Sequence, residues 1–570
     1  MNTRFTPRFI LLLSGAAILG ALGGAWLSER VALSNLSEAL KQNVTANEIG
    51  LYQPRSESGA FLIAQYAEHG SDWQMTHNAL MYLEQTVGLP ETQNARLFLA
   101  AIASGDWATA RTMQSKHPEA ITGSAPLVRM LAAILDWSDG DKAGALTLLQ
   151  NVPYHPVTQP ILPFVTGWMT RETPQLSLMD AAQDIAFSTL NMVRFFEATK
   201  QYERADALMI KLQEAELSLR LQTWSIAYFE RRGLTAEAVK AKAKFADQVK
   251  TLSPTLWKQE QARILAEADG HLKSDKRALA LTLIDATDFL QAHNASAIAL
   301  LYVQLAKKLV PDLTGADITL ASVYESQENW DQAYAIYNNV PSNDPASMTA
   351  QLRAADVLNR AGRLDEAKAA YEKLTSRYSD SPEVWFERGE FLRTSMNAYG
   401  DAIKAYDKVE ALFKGNIPDL YWALYLARGL CYDLSNQPDK AITDYEDALK
   451  LQPENPEALN TLAYAWAEKG KNLDRAQSMA EEALMREPDA AHIIDTMGWV
   501  LYRRGEPAKA IPFIERASQM MPYDATVNDH LGDVYKAAGR DQEAAFMWQR
   551  AVSFADNEKQ RADIQAKLDQ

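Results

Sequence analysis

The chain has 570 residues and a mass of 63.5 kDa, and 47% of its residues are hydrophobic, with only 26 Gly and 23 Pro. That mix excludes collagen-like, low-complexity and disordered classes. A net charge of −16 and a pI near 5.1 speak against nucleic acid as the main partner, because phosphate contacts need clustered Lys and Arg. Cys431 is the one cysteine. An internal disulfide, a Cys-based zinc site and an iron–sulfur site are therefore excluded.

The chain opens with Arg4 and Arg8 and no acid, followed by an uncharged run of 19 residues from Phe9 to Leu27. A basic start, an apolar run and small residues such as Gly23, Gly24 and Ala25 form the pattern of a secretory signal peptide. An uncleaved anchor is the alternative, since such a run just spans ~30 Å of hydrocarbon. Either way the bulk of the chain is exported: periplasmic, or anchored in the inner membrane and facing the periplasm. No cysteine stands at the cleavage point, so lipid attachment there is excluded. Residues 1–25 are thus expected as signal or anchor and 26–58 as a linker.

Helix–turn–helix units are expected over 59–150. Asp72-Trp73-x-x-Thr76, Gly105-Asp106-Trp107-x-x-Ala110 and Gly140-Asp141-Lys142-x-x-Ala145 recur at intervals of 34 and 35 residues. Five prolines (Pro153, Pro156, Pro160, Pro163 and Pro174) mark a boundary. The region 151–312 reads as helical with divergent repeats, among them Lys200-Gln201-Tyr202-x-x-Ala205 and Arg232-Gly233-Leu234-x-x-x-Ala238.

From 313 to 556 the chain aligns with itself. One column holds small residues: Ala321, Ala355, Gly389, Gly429, Ala463, Gly498 and Gly532. A second holds Ala333, Ala367, Ala402, Ala441, Ala476, Ala510 and Ala544, at steps of 34, 35, 39, 35, 34 and 34. Four residues after the alanine stand Tyr337, Tyr371, Tyr406, Tyr445, Ala480, Ile514 and Trp548. Small residues in both helices of a pair permit close approach, and the large one fills the gap beside them. Prolines at 453, 488 and 522 stop one unit before the next begins. A polar helix over 557–570 suits a cap on the last apolar face.

These seven units resemble the tetratricopeptide repeat family. The resemblance implies an all-α fold, a right-handed α-solenoid superhelix of helix–turn–helix repeats. A narrower likeness rests on Asp495-Thr496-Met497-Gly498-Trp499-Val500-Leu501-Tyr502-Arg503-Arg504-Gly505, with His530-Leu531-Gly532-Asp533-Val534-Tyr535, Trp548-Gln549-Arg550-Ala551 and Asn460-Thr461-Leu462-Ala463-Tyr464. It is similar to the exported bacterial adaptors of a carboxy-terminal processing protease, a family that binds the protease and its cell-wall hydrolase substrates. This chain lacks the adaptor's lipidated cysteine.

The family's first helices line a groove through their positions 2, 5, 9 and 12. Here the candidate groove residues are Asp356, Phe386, Glu390, Asn460, Tyr464, Asp495, Trp499, Tyr502, Asp529, Asp533 and Lys536. Chaperone-binding relatives carry Lys, Asn and Arg at such places to hold a peptide carboxylate. Acids and aromatics stand here instead, which suits a peptide or helical segment with basic and apolar groups. The aromatics can equally well pack between repeats.

No Walker-type loop, Gly-x-Ser-x-Gly or His-Glu-x-x-His occurs, and the eight histidines are scattered. Neither an enzyme nor a metal or cofactor site is expected. The reading is an exported scaffold or adaptor for protein partners, such as an envelope protease or cell-wall enzyme. The alternative is an inner-membrane-anchored assembly factor without catalytic activity of its own.

Overall fold

The computed structural model describes residues 57–569, apart from 70–71, 124, 156–157, 176–184, 215–218, 250–260, 263–264, 266–268, 293–294 and 556. The leader expected at 1–25, and the linker after it up to residue 56, lie outside the described residues. The chain divides into two compact units, whose described bodies are residues 57–245 with 261–361, and 246–249 with 362–569. The division runs through the seven-repeat array, between the two helices of its second repeat. Among the described residues the regular structure is helical, and each unit is built from successive antiparallel helix pairs, the all-α arrangement of tetratricopeptide repeats.

In the N-terminal unit the aspartates of the recurring turns start the second helix of each pair. Asp72, Asp106 and Asp141 accept from the backbone N–H of Met75, Thr109 and Gly144 at 2.9, 3.0 and 2.8 Å. Each bond satisfies one of the orphan donors at a helix start, worth about 1 kcal/mol. That local need keeps the Asp visible where the other columns have eroded. The helices Asp275–Ala292 and Ser296–Leu309 fall in the stretch without a readable repeat. They return onto the first pairs: Gln304 Nε2 donates to the Ala103 carbonyl at 3.0 Å and Lys276 Nζ to the Ser138 carbonyl at 2.9 Å. Ser296–Leu309 is therefore buried on several faces, including Leu300, Leu301, Tyr302 and Val303. Only residues 296–298 and 307–308, near its two ends, are part-exposed.

Twelve helices are described in the C-terminal unit. They are α1 (Leu364–Arg377), α2 (Pro382–Thr394), α3 (Tyr399–Phe413), α4 (Trp422–Leu434), α5 (Pro438–Leu451), α6 (Pro456–Lys469), α7 (Leu473–Arg486), α8 (Ala491–Arg503), α9 (Pro507–Met520), α10 (Ala525–Ala537), α11 (Asp541–Ser553) and α12 (Glu558–Leu568). The step of 39 is a longer α3–α4 connection, which passes through Lys414 and Gly415 at positive φ and a 3₁₀ turn at Asp419–Tyr421.

The sterics of the columns are direct. A Cβ on Gly429 would lie 2.4 Å from the ring of Tyr445, and one on Gly532 the same distance from Trp548. Each glycine is the seat of the large side chain from the second helix of its own repeat. Where that side chain shrinks to Ala480, the seat becomes Ala463, and Trp466, buried in the same core, supplies the bulk. Ile564 of α12 is buried against the last repeat, so this helix closes the core as a cap.

Candidate functional site

The expected groove residues fall in both units. Asp356 belongs to the N-terminal unit, where it pairs with Arg360 at 3.0 Å. Phe386 and Glu390 sit on α2. Glu390 is buried, pairs with Arg393 at 2.6 Å and accepts from the Tyr406 hydroxyl at 2.5 Å. Phe386 is half-buried between the rings of Tyr406 and Tyr421. The same register on α4 gives Ala423, Leu426, Leu430 and Asp433: the three apolar members are half-buried, Asp433 accepts from the Tyr445 hydroxyl at 2.7 Å, and Leu434 beside it is 54% exposed.

The remaining candidates lie on α6, α8 and α10, and bonds between successive first helices tie most of them together. His492 Nε2 meets Glu457 at 3.0 Å, and His530 Nδ1 meets Asp495 at 2.8 Å. The His530 ring lies flat on Trp499, with centroids 3.9 Å apart and planes 15° off parallel; Tyr464 is 6.0 Å away. Trp499 Nε1–H donates to the Glu468 carboxylate at 2.6 Å, and Tyr502 lies 5.0 Å from the indole. Lys567 Nζ, from the capping α12, reaches both Asp529 and Asp533 at 2.7–2.9 Å. Lys536 is exposed and pairs with Asp541 at 3.1 Å.

This network sets the local electrostatics. Burial opposes the charge on His530, but Asp495 beside it, with Asp529 and Glu468 farther out, holds the imidazole above its ordinary pKa. The Glu457 hydrogen bond raises His492 against a smaller cost of burial. Burial pushes Asp529 up in spite of Lys567. Burial, and then the surrounding acids, keep the Tyr464 phenol neutral far into the alkaline range. Two side-chain oxygens in this group, Asn460 Oδ1 and Asp495 Oδ1, are buried without a hydrogen-bond partner.

Much of the expected acidic lining is thus matched internally. Trp499 is 7% exposed and serves the repeat interface first. Leu426, Leu430, Tyr464 and Tyr502 are half-buried along the candidate face, with Leu426, Tyr464 and Tyr502 packed against the core. Among the described residues, no group of three or more His, Cys, Asp and Glu is placed to hold a metal ion. Sequence reasoning missed His530, Glu468 and Lys567. A signal for the first was present: Glu457 with His492, and Asp495 with His530, are each separated by one repeat of 35 residues.

Models of the tetratricopeptide repeat family match residues 348–391 and 422–455, so the chain carries these repeats. A TPR repeat-containing protein of Pseudomonas aeruginosa is 30% identical over 220 residues, 38% of this chain and 36% of that protein. Lipopolysaccharide assembly protein B of Escherichia coli is 23% identical over 246 residues, 41% of this chain and 62% of that protein. The chain thus spans about a third of the first relative and under two thirds of the second. Among solved structures, the APC/C hetero-tetramer Cut9–Hcn1 aligns at 15% identity over 91% of this chain and 97% of that one, with a TM-score of 0.37.

Proposed function

We propose that the chain is a non-catalytic scaffold that holds a protein partner, a peptide or helical segment, on the first-helix face of its C-terminal unit. The observation that carries this reading is the apolar row on α4. Ala423, Leu426, Leu430 and Leu434 occupy one helical stripe, partly open to solvent, on the face where these repeats take ligands. Phe386 extends the row on one side, and Tyr464 and Tyr502 on the other. Such rings anchor partners at small entropic cost.

The partner belongs to the bacterial envelope in this reading. The leader-like start from Phe9 to Leu27 supports export, and the likeness to adaptors of a carboxy-terminal processing protease supports a protease or cell-wall enzyme as partner. A second reading, an anchored assembly factor, draws on the likeness to lipopolysaccharide assembly protein B. N-terminal sequencing of the chain from fractionated cells separates the two. A new N-terminus after Gly23–Ala25 supports the soluble form, and an intact Met1 in the membrane fraction supports the anchor.

Crosslinked affinity purification with the wild-type chain identifies the partner, and Leu430→Ser with Tyr502→Ala then tests the face. The expected result is loss of that partner with unchanged circular dichroism. Equal recovery from a folded double variant would place binding elsewhere.

A further inference from the structure

Two of the eight histidines hold successive repeats together, a role separate from partner binding. We propose that His492–Glu457 and His530–Asp495 act as paired latches that tighten the stacking of the three C-terminal repeats on acidification and loosen it as pH rises.

The geometry is repeated. One pair joins α6 to α8 at 3.0 Å and the other joins α8 to α10 at 2.8 Å. In a repeat array each unit touches only its neighbours, so a bond between successive first helices acts directly on stacking. The second pair is dry: the side chains of His530 and Asp495 are 5% and 7% exposed. The other carboxylate oxygen, Oδ1, has no hydrogen-bond partner. A buried carboxylate held by a single neighbour is costly unless that neighbour carries the opposite charge. Loss of the His530 proton would leave Asp495 so exposed, beneath a stacked indole that water does not reach.

The groups around each imidazole decide the direction. His530 faces Asp495 from α8, Glu468 and Tyr464 from α6, and Asp529 from its own helix. The neighbouring cations are otherwise engaged, Lys567 of α12 on Asp529 and Asp533, and Arg503 of α8 on Glu468. His492 faces Glu457 from α6, Glu487 from the preceding turn and Asp495 from its own helix. Carboxylates dominate both surroundings, so both imidazoles stay charged above the ~6.5 of a free histidine. Their contribution is complete below about pH 6.5 and is lost as pH rises through the folded values. Each histidine changes the opening equilibrium by at most about tenfold per pH unit in that window.

Hydrogen exchange by mass spectrometry on the full chain reads this directly, once rates at pH 6.0 and 8.0 are scaled for intrinsic exchange. The expected result is that opening of α6, α8 and α10 rises on the order of tenfold or more between the two pH values, while α2 and α4 change little. In the variant His492→Gln with His530→Asn, whose amides keep a donor near Nε2 and Nδ1 respectively, that rise disappears. Asp495→Asn removes the share of His530 and leaves most of that of His492. A flat wild-type profile, or an unchanged rise in the double variant, overturns the proposal. A ¹³C titration of the histidine rings in the wild-type chain stands independently of how the variants fold. Both imidazoles titrating above the free value is the expected outcome, and values at or below it refute the latch.

Discussion

Gly429→Ala tests the claim that the small column is a seat for the large side chain of the facing helix. The new Cβ would lie 2.4 Å from Tyr445 Cε1, 2.8 Å from Cδ1 and 3.2 Å from the Ala441 carbonyl oxygen. Tyr445 cannot swing aside cheaply: its ring is 1% exposed and its hydroxyl donates to Asp433 at 2.7 Å. With a 2.4 Å contact against a ring held in place, overpacking falls in the upper part of its range, about 2–3 kcal/mol, offset by about 1 kcal/mol because Ala favours a helix over Gly. A net loss of about 1–2 kcal/mol is expected, or a local opening constant about 5–30-fold larger. Cys431 reports it, two residues along the same helix. It is the one thiol of the chain, it is fully buried, and burial pushes its pKa up to about 12. Its alkylation therefore proceeds through opening of the repeat, and the rate should rise by the same 5–30-fold. Tyr445→Ala also opens the repeat, but the two changes together should cost less than their sum, because the clash has gone. A Gly429→Ala chain that labels no faster than wild type, or a strictly additive pair, would refute the seat.

Three further outcomes follow from buried charge. Arg428 holds Asp444 at 2.8 Å, with Asp407 and Glu410 at its rim. Arg428→Met leaves Asp444 buried and unpaired, and should lower stability of the C-terminal unit by about 3–5 kcal/mol, read as earlier thermal exposure of Cys431. Lys567→Met leaves Asp529 and Asp533 facing each other, and the loss should be larger at pH 7.5 than at pH 5, since burial already holds Asp529 above the usual carboxylate range. In the N-terminal unit the sign of the histidine effect reverses. Burial outweighs Glu197 at 2.8 Å and, with Arg194 and Arg231 near by, depresses His271, so stability falls as pH drops through about 6.5 and only the unfolded chain takes up the proton. Exchange of the helix Ile185–Ala198 should therefore speed up on acidification, after intrinsic correction, while α8 and α10 become more protected.

The helix pairs of the C-terminal unit were legible because sterics repeat themselves. Gly389 against Tyr406, Gly429 against Tyr445, Gly498 against Ile514 and Gly532 against Trp548 are one contact made four times. Each instance constrains two residue types at a fixed offset, so the pattern survives sequence drift. The return of Ser296–Leu309 onto the first pairs has no such register. It rests on contacts such as Gln304 to Ala103, which lie 201 residues apart and occur once. A contact of that kind leaves no period in the sequence.

Charge in the candidate site was legible in amount but not in direction. An acid at a first-helix position reads the same whether it faces a partner or an internal cation. Asp495 and Glu457 are paired one repeat away, at the 35-residue spacing that joins them to His530 and His492. Asp529 and Asp533 are satisfied by Lys567, which lies on the capping helix beyond the last repeat. No repeat spacing predicts that pairing, since a cap has no successor to copy. The distinction bears on binding. A partner meeting Asp529 and Asp533 must displace a four-contact ammonium before gaining anything, whereas Leu426, Leu430 and Tyr502 carry no such bond to be broken. Affinity for a partner should accordingly depend weakly on salt and strongly on the size of those apolar side chains. A steep loss of binding between low and high ionic strength would show instead that the acids, not the apolar row, do the holding.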